Sequence, residues 1–286
     1  MMRFRRMVWL AVVASPLLGC LEEETPAGDS GLTADGGPAP DGGPPPDVGA
    51  PPDEGVIAEC TTTSAPITSL ITTLEIPSVA SQMGQNLDGM DGGCVPDYAN
   101  GVDNAFADLA EAIPHLSEDD PIELQNGIDD SLACVAASAT CQPLRVSIRV
   151  TPGEGCAVVE LLDADGEVIE DSGVGTLDAN GNFRVELPSL PLTFHYSTAD
   201  GPVEIPLRMR GLIVTGRVVG PNIVDVLIGG SLQKGEFETT LRAVIPLMSD
   251  TVEFEDIEAV VAFLYDMGPN CTDLSVGLMA NWTSGS

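Results

Sequence analysis

Acidic side chains separated by glycines form the stretch of this sequence that could most readily do chemistry. The run Asp88-Gly89-Met90-Asp91-Gly92-Gly93 is followed closely by Asp97 and Asp103. Calcium prefers carboxylate and carbonyl oxygens, and glycine lets the backbone turn sharply around the ion. Asp88, Asp91, Asp97 and Asp103 are therefore the ligands of a predicted calcium site. Their spacing differs from that of an EF-hand loop, and Asp is also favoured in turns and at helix N-termini, so a purely structural role is the alternative.

Catalytic residue types do not converge elsewhere in the sequence. Gly28-Asp29-Ser30-Gly31 matches the string around a serine-protease nucleophile, but its Pro/Gly-rich surroundings supply no rigid scaffold to hold a base. His115 and His195 are the only histidines and no Cys-x-x-Cys occurs, so a zinc site is not expected. Pairs of Asp and Glu could still hydrolyse glycosides. We therefore expect a non-enzymatic protein, with a carboxylate-based hydrolase as the alternative.

The segments that must position the acidic residues contain two short helical patterns. Asp103 or Asn104 is the expected N-cap of a first helix that ends at Pro114. A second helix opens at Pro121 and carries apolar residues at helical spacing as far as Val135. Together they predict a small, acidic, Cys-containing helical subdomain over residues 59–142.

The pattern of apolar residues changes to a period of two after this region. Apolar and polar residues alternate from Leu144 to Val150, which predicts a half-buried strand. Asn180-Gly181 and Asp163-Ala164-Asp165-Gly166 lie between further apolar segments, so we interpret both as hairpin turns. Residues 143–286 are therefore predicted to form a mainly β domain, an antiparallel sandwich or barrel with a few helices.

The first twenty residues have the parts of an export signal. Arg3, Arg5 and Arg6 precede an apolar run that ends in Leu17-Leu18-Gly19-Cys20. The run is too short to cross a bilayer, which takes about 20 apolar residues. Leu17-Leu18-Gly19-Cys20 resembles the lipobox of bacterial lipoproteins. That resemblance implies removal of residues 1–19 and attachment of diacylglycerol and a fatty acyl chain such as palmitate to Cys20.

Residues 20–58 are predicted to be a lipidated cysteine followed by a disordered tether. They are rich in Pro, Gly and Asp and contain few large apolar side chains that could offset the entropy of ordering. Linkers of this composition resemble those of Gram-negative surface lipoproteins. Leu21 is not the Asp that retains enteric lipoproteins at the inner membrane. The resemblance therefore implies an outer-membrane anchor, and it leaves open whether the domain faces the periplasm or the cell surface.

The remaining cysteines fit an oxidising compartment. Once Cys20 is assigned to lipid, an even number remains, which predicts three disulfides. Six cysteines allow 15 pairings, so the sequence alone does not choose among them. We expect Cys134 to pair locally with Cys141, and Cys271 is a candidate partner for Cys156. The six cysteines are Cys60, Cys94, Cys134, Cys141, Cys156 and Cys271.

The charge distribution excludes one class of partner. The chain has 44 acidic and 11 basic residues, and no Lys or Arg occurs between Cys20 and Leu144. Nucleic acid requires clustered Lys and Arg, so it is not an expected partner. The expected partners are the membrane, through the lipid anchor, and an envelope protein or small ligand that the sequence does not identify.

The sequence therefore predicts a non-enzymatic, membrane-anchored lipoprotein outside the cytoplasm, with a binding or structural role at the cell envelope and a calcium site. Two alternatives stay open. One is a lipid-anchored hydrolase that uses Asp and Glu, and the other is an envelope assembly or transport accessory, which would need an apolar groove wide enough for a lipid or peptide.

Overall fold

The computed structural model describes residues 59–89, 94, 97–99, 101–134, 143–268 and 270–284. In this part of the chain, eight antiparallel strands form a closed barrel, in which each strand pairs with the next and the last returns to the first. The prediction of a mainly β, antiparallel fold with a few helices is confirmed. The strands are β1 (Ile67–Glu75), β2 (Ser147–Pro152), β3 (Cys156–Leu162), β4 (Gly173–Leu177), β5 (Asn182–Thr198), β6 (Gly201–Val219), β7 (Asn222–Gln233) and β8 (Asp273–Ser284).

Helices cover parts of this barrel. α2 packs against β5 and β1, α1 against β8, α3 mainly against β6, and α4 against α3. The amphipathic patterns of the sequence account for them, since each buries one apolar side in the common core. The helices are α1 (Ala105–Ala112), α2 (Leu124–Ala133), α3 (Lys234–Met248) and α4 (Phe254–Val261), with short 3₁₀ turns at Val79–Ser81 and Ile113–Leu116.

The predicted turns of the β region are present. In the turn before β5, the Asp178 carboxylate accepts the backbone N–H groups of Asn180 (2.8 Å) and Asn182 (2.9 Å). The Asp163 carboxylate does the same for Asp165 (2.9 Å) and Glu167 (3.0 Å). These acidic side chains therefore serve the turns themselves, as the hairpin interpretation expects.

The longest hairpin of the barrel is formed by β5 and β6. Along this hairpin the buried positions switch from one face to the other. β5 and β6 stay paired from Asn182↔Arg217 to Thr198↔Gly201. Between Leu187↔Leu212 and Ser189↔Arg210 the alternation of buried and exposed residues switches sides. One face of the hairpin is buried on one side of this point, and the opposite face is buried beyond it.

The predicted boundary between residues 142 and 143 does not coincide with a boundary between compact units. Glu54–Ser286 forms one unit. β1, which lies within the predicted helical subdomain, pairs with β2 on one side and with β8 on the other. Exposed and buried positions alternate from Thr68 to Thr72, with Ser69 and Ile71 buried, and this period of two fits a sheet with one exposed face.

Two disulfides join segments that are distant in the sequence. Cys60 bonds to Cys156 at the start of β3, and Cys94 bonds to Cys271 just before β8. The suggested Cys156–Cys271 pair is therefore wrong, because β3 and β8 are not neighbours in the barrel. Cys134 is also disulfide-bonded, and its predicted partner Cys141 lies outside the described residues.

The predictions for the start of the chain concern residues outside the described ranges. They comprise the signal segment 1–19, the lipidated Cys20 and the rest of the tether as far as residue 58. Within the described ranges, no helix is long and apolar enough to cross a membrane.

Candidate metal centre

Three of the four predicted calcium ligands come together in the fold. Asp88, Asp97 and Asp103 each offer a carboxylate oxygen, and these oxygens lie within 4.8 Å of one another. The fourth predicted ligand, Asp91, lies outside the described residues. We call Asp88, Asp97 and Asp103 the acidic centre.

A backbone turn places two of these aspartates side by side. The N–H of Tyr98 donates to the carbonyl of Val102 (2.9 Å), so the chain folds back between these residues and brings Asp97 next to Asp103. Gly101 lies in this turn with a φ of +68°, a conformation that glycine adopts without strain. Gly101 therefore allows the sharp turn that brings Asp97 next to Asp103.

Asp103 ties the acidic centre to the preceding segment. Its backbone N–H donates to the carbonyl of Gln85 (2.8 Å), and its Oδ2 accepts the N–H of Leu87 (2.6 Å). The side chain is only 2% exposed. Both bonds hold the chain just before Asp88 against the start of α1, so the carboxylate is fixed from two sides.

A strip of small residues on the barrel supports this segment. Gly229 of β7 lies beside Gly277 of β8. A Cβ atom at Gly229 would come within 2.5 Å of the Gln85 side chain, and one at Gly277 within 2.9 Å of Asn104 Nδ2. Because both positions lack a side chain, Gln85 and Asn104 can lie directly on the sheet.

Asn104 precedes α1 as predicted, but its side chain does not cap the helix. Its Oδ1 accepts the N–H of Gly277 (2.8 Å), and its Nδ2 donates to the carbonyl of Met83 (2.8 Å). The cap is supplied by β8, because the Oγ of Ser275 accepts the first helical N–H, that of Ala105 (2.8 Å). Asn104 therefore fixes the helix start to the barrel.

A fourth carboxylate, Asp266, reaches the same region from a distant part of the sequence. It is 7% exposed and accepts the backbone N–H of Ser275 (2.8 Å) and the Ser275 hydroxyl. The Cys94–Cys271 disulfide joins the turn after Asp266 to the segment between Asp88 and Asp97. Sequence reasoning missed Asp266, since neither its spacing nor its neighbours carry a ligand pattern.

The electrostatics of the acidic centre are dominated by burial and by like charge. The pKa of Asp103 is raised from 3.8 to about 6, mainly by burial and also by the charges of Asp88, Asp97 and Asp266, against the lowering effect of the hydrogen bond from Leu87. Burial also raises the pKa of Asp266, and the charge of Asp97 adds to this effect. The neighbouring charges that raise these pKa values are all negative. A proton or an added cation would therefore relieve the repulsion.

The donor set fits a hard cation. Three carboxylates can supply from three to six oxygens to Ca²⁺, which takes 6–8 oxygen ligands, the others coming from carbonyls or water. The nearby sulfurs of Cys94 and Cys271 are joined to each other and are not thiolate ligands. Soft-metal chemistry does not fit this set, whereas Ca²⁺ does.

The two histidines lie apart from this set of ligands. His195 on β5 is buried, its ring nitrogens have no hydrogen-bond partner in the described part of the chain, and Nε2 lies 3.6 Å from Glu204 Oε1. His115 is exposed. Neither is among the three side chains of the acidic centre.

Two surface clefts bear on the alternative functions. A cleft of about 800 Å³ between the tip of the β5–β6 hairpin and the end of α3 is lined by four acidic residues, the half-buried Asp120 and the exposed Asp200, Glu204 and Asp250. A catalytic acid relies on burial to keep its proton near neutral pH, and three of these four carboxylates lack that burial. An apolar groove lined by Leu192 and Phe237 holds about 280 Å³, less than the roughly 300–1,000 Å³ of typical ligand sites.

The fold and the acidic centre thus define the chain as a closed antiparallel barrel with disulfide links and a carboxylate cluster on one face. No protein-family model, curated protein or solved structure matches it.

Proposed function

We propose that this protein is a lipid-anchored lipoprotein of the cell envelope, non-enzymatic, whose barrel domain binds Ca²⁺ through Asp88, Asp97 and Asp103. The observation that supports calcium is the convergence of three carboxylates that the sequence pattern had already selected. The anchor rests on the resemblance of Leu17-Leu18-Gly19-Cys20 to a lipobox. The role of the domain is binding or structural, and calcium stabilises its folded state.

The magnitude of the repulsion supports a cation. At an effective dielectric constant of about 20, two unit charges 4–5 Å apart repel by about 3–4 kcal/mol. The carboxylate oxygens of the three aspartates lie within 4.8 Å of one another, so a bound cation would offset a repulsion of this size. Calcium sites in extracellular modules have dissociation constants of about 10⁻⁴–10⁻³ M, a range that suits a domain outside the cytoplasm.

Calorimetry and thermal unfolding test the calcium site. The full chain is titrated with CaCl₂ and then unfolded in CaCl₂, in EDTA and in MgCl₂. A calcium concentration about 100 times the dissociation constant stabilises the fold by about 2.7 kcal/mol. We expect a higher Tm in calcium, lost in EDTA, and no response in Asp97→Asn.

Asp165→Asn is the matched control, because Asp165 is an exposed aspartate in a turn outside the acidic centre. It should keep the full calcium response. An unchanged wild-type Tm between calcium and EDTA would remove calcium from the proposed function and leave the anchor untouched.

Metabolic labelling with palmitate tests the anchor. The wild-type chain should incorporate label and partition into detergent, and Cys20→Ala should do neither. Cys134→Ala is the control, since it also removes a cysteine but leaves the lipobox intact. Equal labelling of wild type and Cys20→Ala would contradict lipid attachment at this position.

A further inference from the structure

A second polar site lies on the barrel, and it includes none of the three aspartates of the acidic centre. A cleft of about 490 Å³ opens across β4, β5, β6 and β7, beside the turn that joins β4 to β5. Its volume falls in the roughly 300–1,000 Å³ range of small-molecule sites. Its polar walls include Thr176, Asp178, Asn182, Arg184, Thr215 and Arg217.

Three of these residues form a row across neighbouring strands. Thr176 on β4 pairs directly with Arg184 on β5, and Arg184 pairs directly with Thr215 on β6. Side chains directly opposite in antiparallel strands project from the same face with Cβ atoms about 4.5–5.5 Å apart. The Arg184 side chain therefore leaves the sheet between two threonines, and all three side chains line the cleft.

Arg184 differs from the other basic residues because it makes no ion pair or hydrogen bond within the part of the chain that the structure describes. This is unexpected in a chain with 44 acidic and 11 basic residues. Its side chain is exposed, so a ligand can reach it. The basic residues that do pair with a carboxylate are Arg149, Arg208, Arg210, Arg217, Lys234 and Arg242.

The two carboxylates of the cleft are already engaged. Asp225 accepts Arg217 Nη2 at 2.7 Å. Asp178 accepts hydrogen bonds from Asn180 and Asn182, and these bonds hold the pKa of Asp178 below its ordinary value. Asp225 is thus paired with a positive charge, Asp178 is held by neutral amide donors, and the guanidinium of Arg184 remains accessible in the cleft.

One hydroxyl of the row is oriented by a contact from the other side. Gln85 Nε2 donates to Thr215 Oγ1 at 2.8 Å, so this oxygen acts as an acceptor toward Gln85. The hydroxyl proton of Thr215 is then free to donate in another direction. A guanidinium beside such a donor is a recognition element for an oxyanion.

We propose that this cleft binds a small hydroxy-carboxylate, such as a uronic acid, with its carboxylate on Arg184. Guanidinium and carboxylate match in a planar bidentate pair, which sets a carboxylate apart from a neutral sugar. Thr176 and Thr215 hold the remaining carboxylate lone pairs or a neighbouring ligand hydroxyl. The site is separate from the calcium proposal and does not depend on it.

Equilibrium dialysis of the full chain against sodium glucuronate tests this site at constant ionic strength. Glucose and the methyl ester of glucuronate serve as neutral probes, and inorganic phosphate as a different oxyanion. Glucuronate should bind, and the two neutral probes should bind at least ten-fold more weakly. Absence of glucuronate binding, or equal binding of the ester or of phosphate, would overturn the carboxylate assignment.

Arg184→Gln should weaken glucuronate binding about 10- to 100-fold, the loss expected when charge-assisted hydrogen bonds are removed. Because Arg184 is exposed, the variant should keep the wild-type Tm. Arg242→Gln is the matched control, as it removes an exposed arginine on α3 and should leave binding unchanged. Thr176→Val provides a second variant and should weaken binding several-fold. Unchanged affinity in Arg184→Gln would refute the proposal.

Discussion

Replacing Asp103 by Asn separates the effect of charge from that of hydrogen bonding in the acidic centre. The pKa of Asp103 is raised from 3.8 to about 6, and the side chain is only 2% exposed. This rise in the pKa corresponds to a free-energy difference of about 3 kcal/mol between the charged and the neutral form of the side chain. Asn has the same shape without the charge, and its carbonyl oxygen can still accept the N–H of Leu87. In EDTA at pH 7 we therefore expect Asp103→Asn to be more stable than wild type by up to about 3 kcal/mol.

Calcium should cancel most of this difference. The proposed wild-type site should gain about 2.7 kcal/mol when calcium is present at about 100 times its dissociation constant. The variant lacks one anionic ligand and should gain little. Thermal unfolding followed by circular dichroism measures both differences, since 1 kcal/mol shifts the Tm of a domain of this size by about 2–4 °C. The expected signature is a higher Tm than wild type in EDTA together with a smaller response to calcium.

A loss of stability in EDTA that is equal to the loss in calcium would refute this reasoning. That result would mean that Asp103 acts only through its hydrogen bond to Leu87. Asp165→Asn provides the baseline, because it changes the net charge by the same amount at an exposed turn outside the acidic centre.

Three further predictions follow from the same contacts. The pKa of Asp103 is higher in the folded state than in the unfolded state, so its contribution to stability in EDTA is present below about pH 4 and is lost as the pH rises through about 6. The stability advantage of Asp103→Asn in urea unfolding should therefore be absent below about pH 4 and should appear between about pH 4 and 6. Gly229→Ala should lower the free energy of unfolding by about 1–3 kcal/mol, because the added methyl group crowds Gln85, and it should weaken calcium binding in calorimetry. Gly235→Ala in α3 places its methyl group in open space and should raise the free energy of unfolding by about 0.5–1 kcal/mol. Ser275→Ala leaves the Ala105 N–H without its acceptor and should lower the free energy of unfolding by about 1–3 kcal/mol, so an unchanged urea midpoint would contradict that role.

Local patterns predicted the strands of the barrel better than its closure. Alternation from Leu144 onward and the Asn180-Gly181 turn correspond to observed elements, because both signals are complete within a few residues. β1 was missed because its membership of the sheet is decided by pairing with β8, which lies about 200 residues away in the sequence. The continuity of the β5–β6 hairpin is also not decided locally. Its buried positions switch faces, and only the partner strand shows that pairing continues past this point.

The acidic centre was predictable to the extent that its ligands are close in the sequence. Asp88, Asp97 and Asp103 share one glycine-containing segment, so composition and spacing were enough to select them. Asp266 was not predictable, because it reaches the region through β8 and the Cys94–Cys271 disulfide. The role of Asn104 was also misassigned, since an N-cap pattern does not show that the side chain will bond to a distant strand.

The proposal of a cation agrees with where the positive charges are in this chain. No Lys or Arg occurs between Cys20 and Leu144, so the segment that contains the acidic centre brings no basic side chain of its own. The sheet under Gln85 and Asn104 contributes the uncharged Gly229 and Gly277, and Asp266 adds a further negative charge to the region. Burial and these like charges raise the pKa of Asp103. A divalent cation at the acidic centre would relieve the repulsion, and this is the physical reason for proposing calcium there.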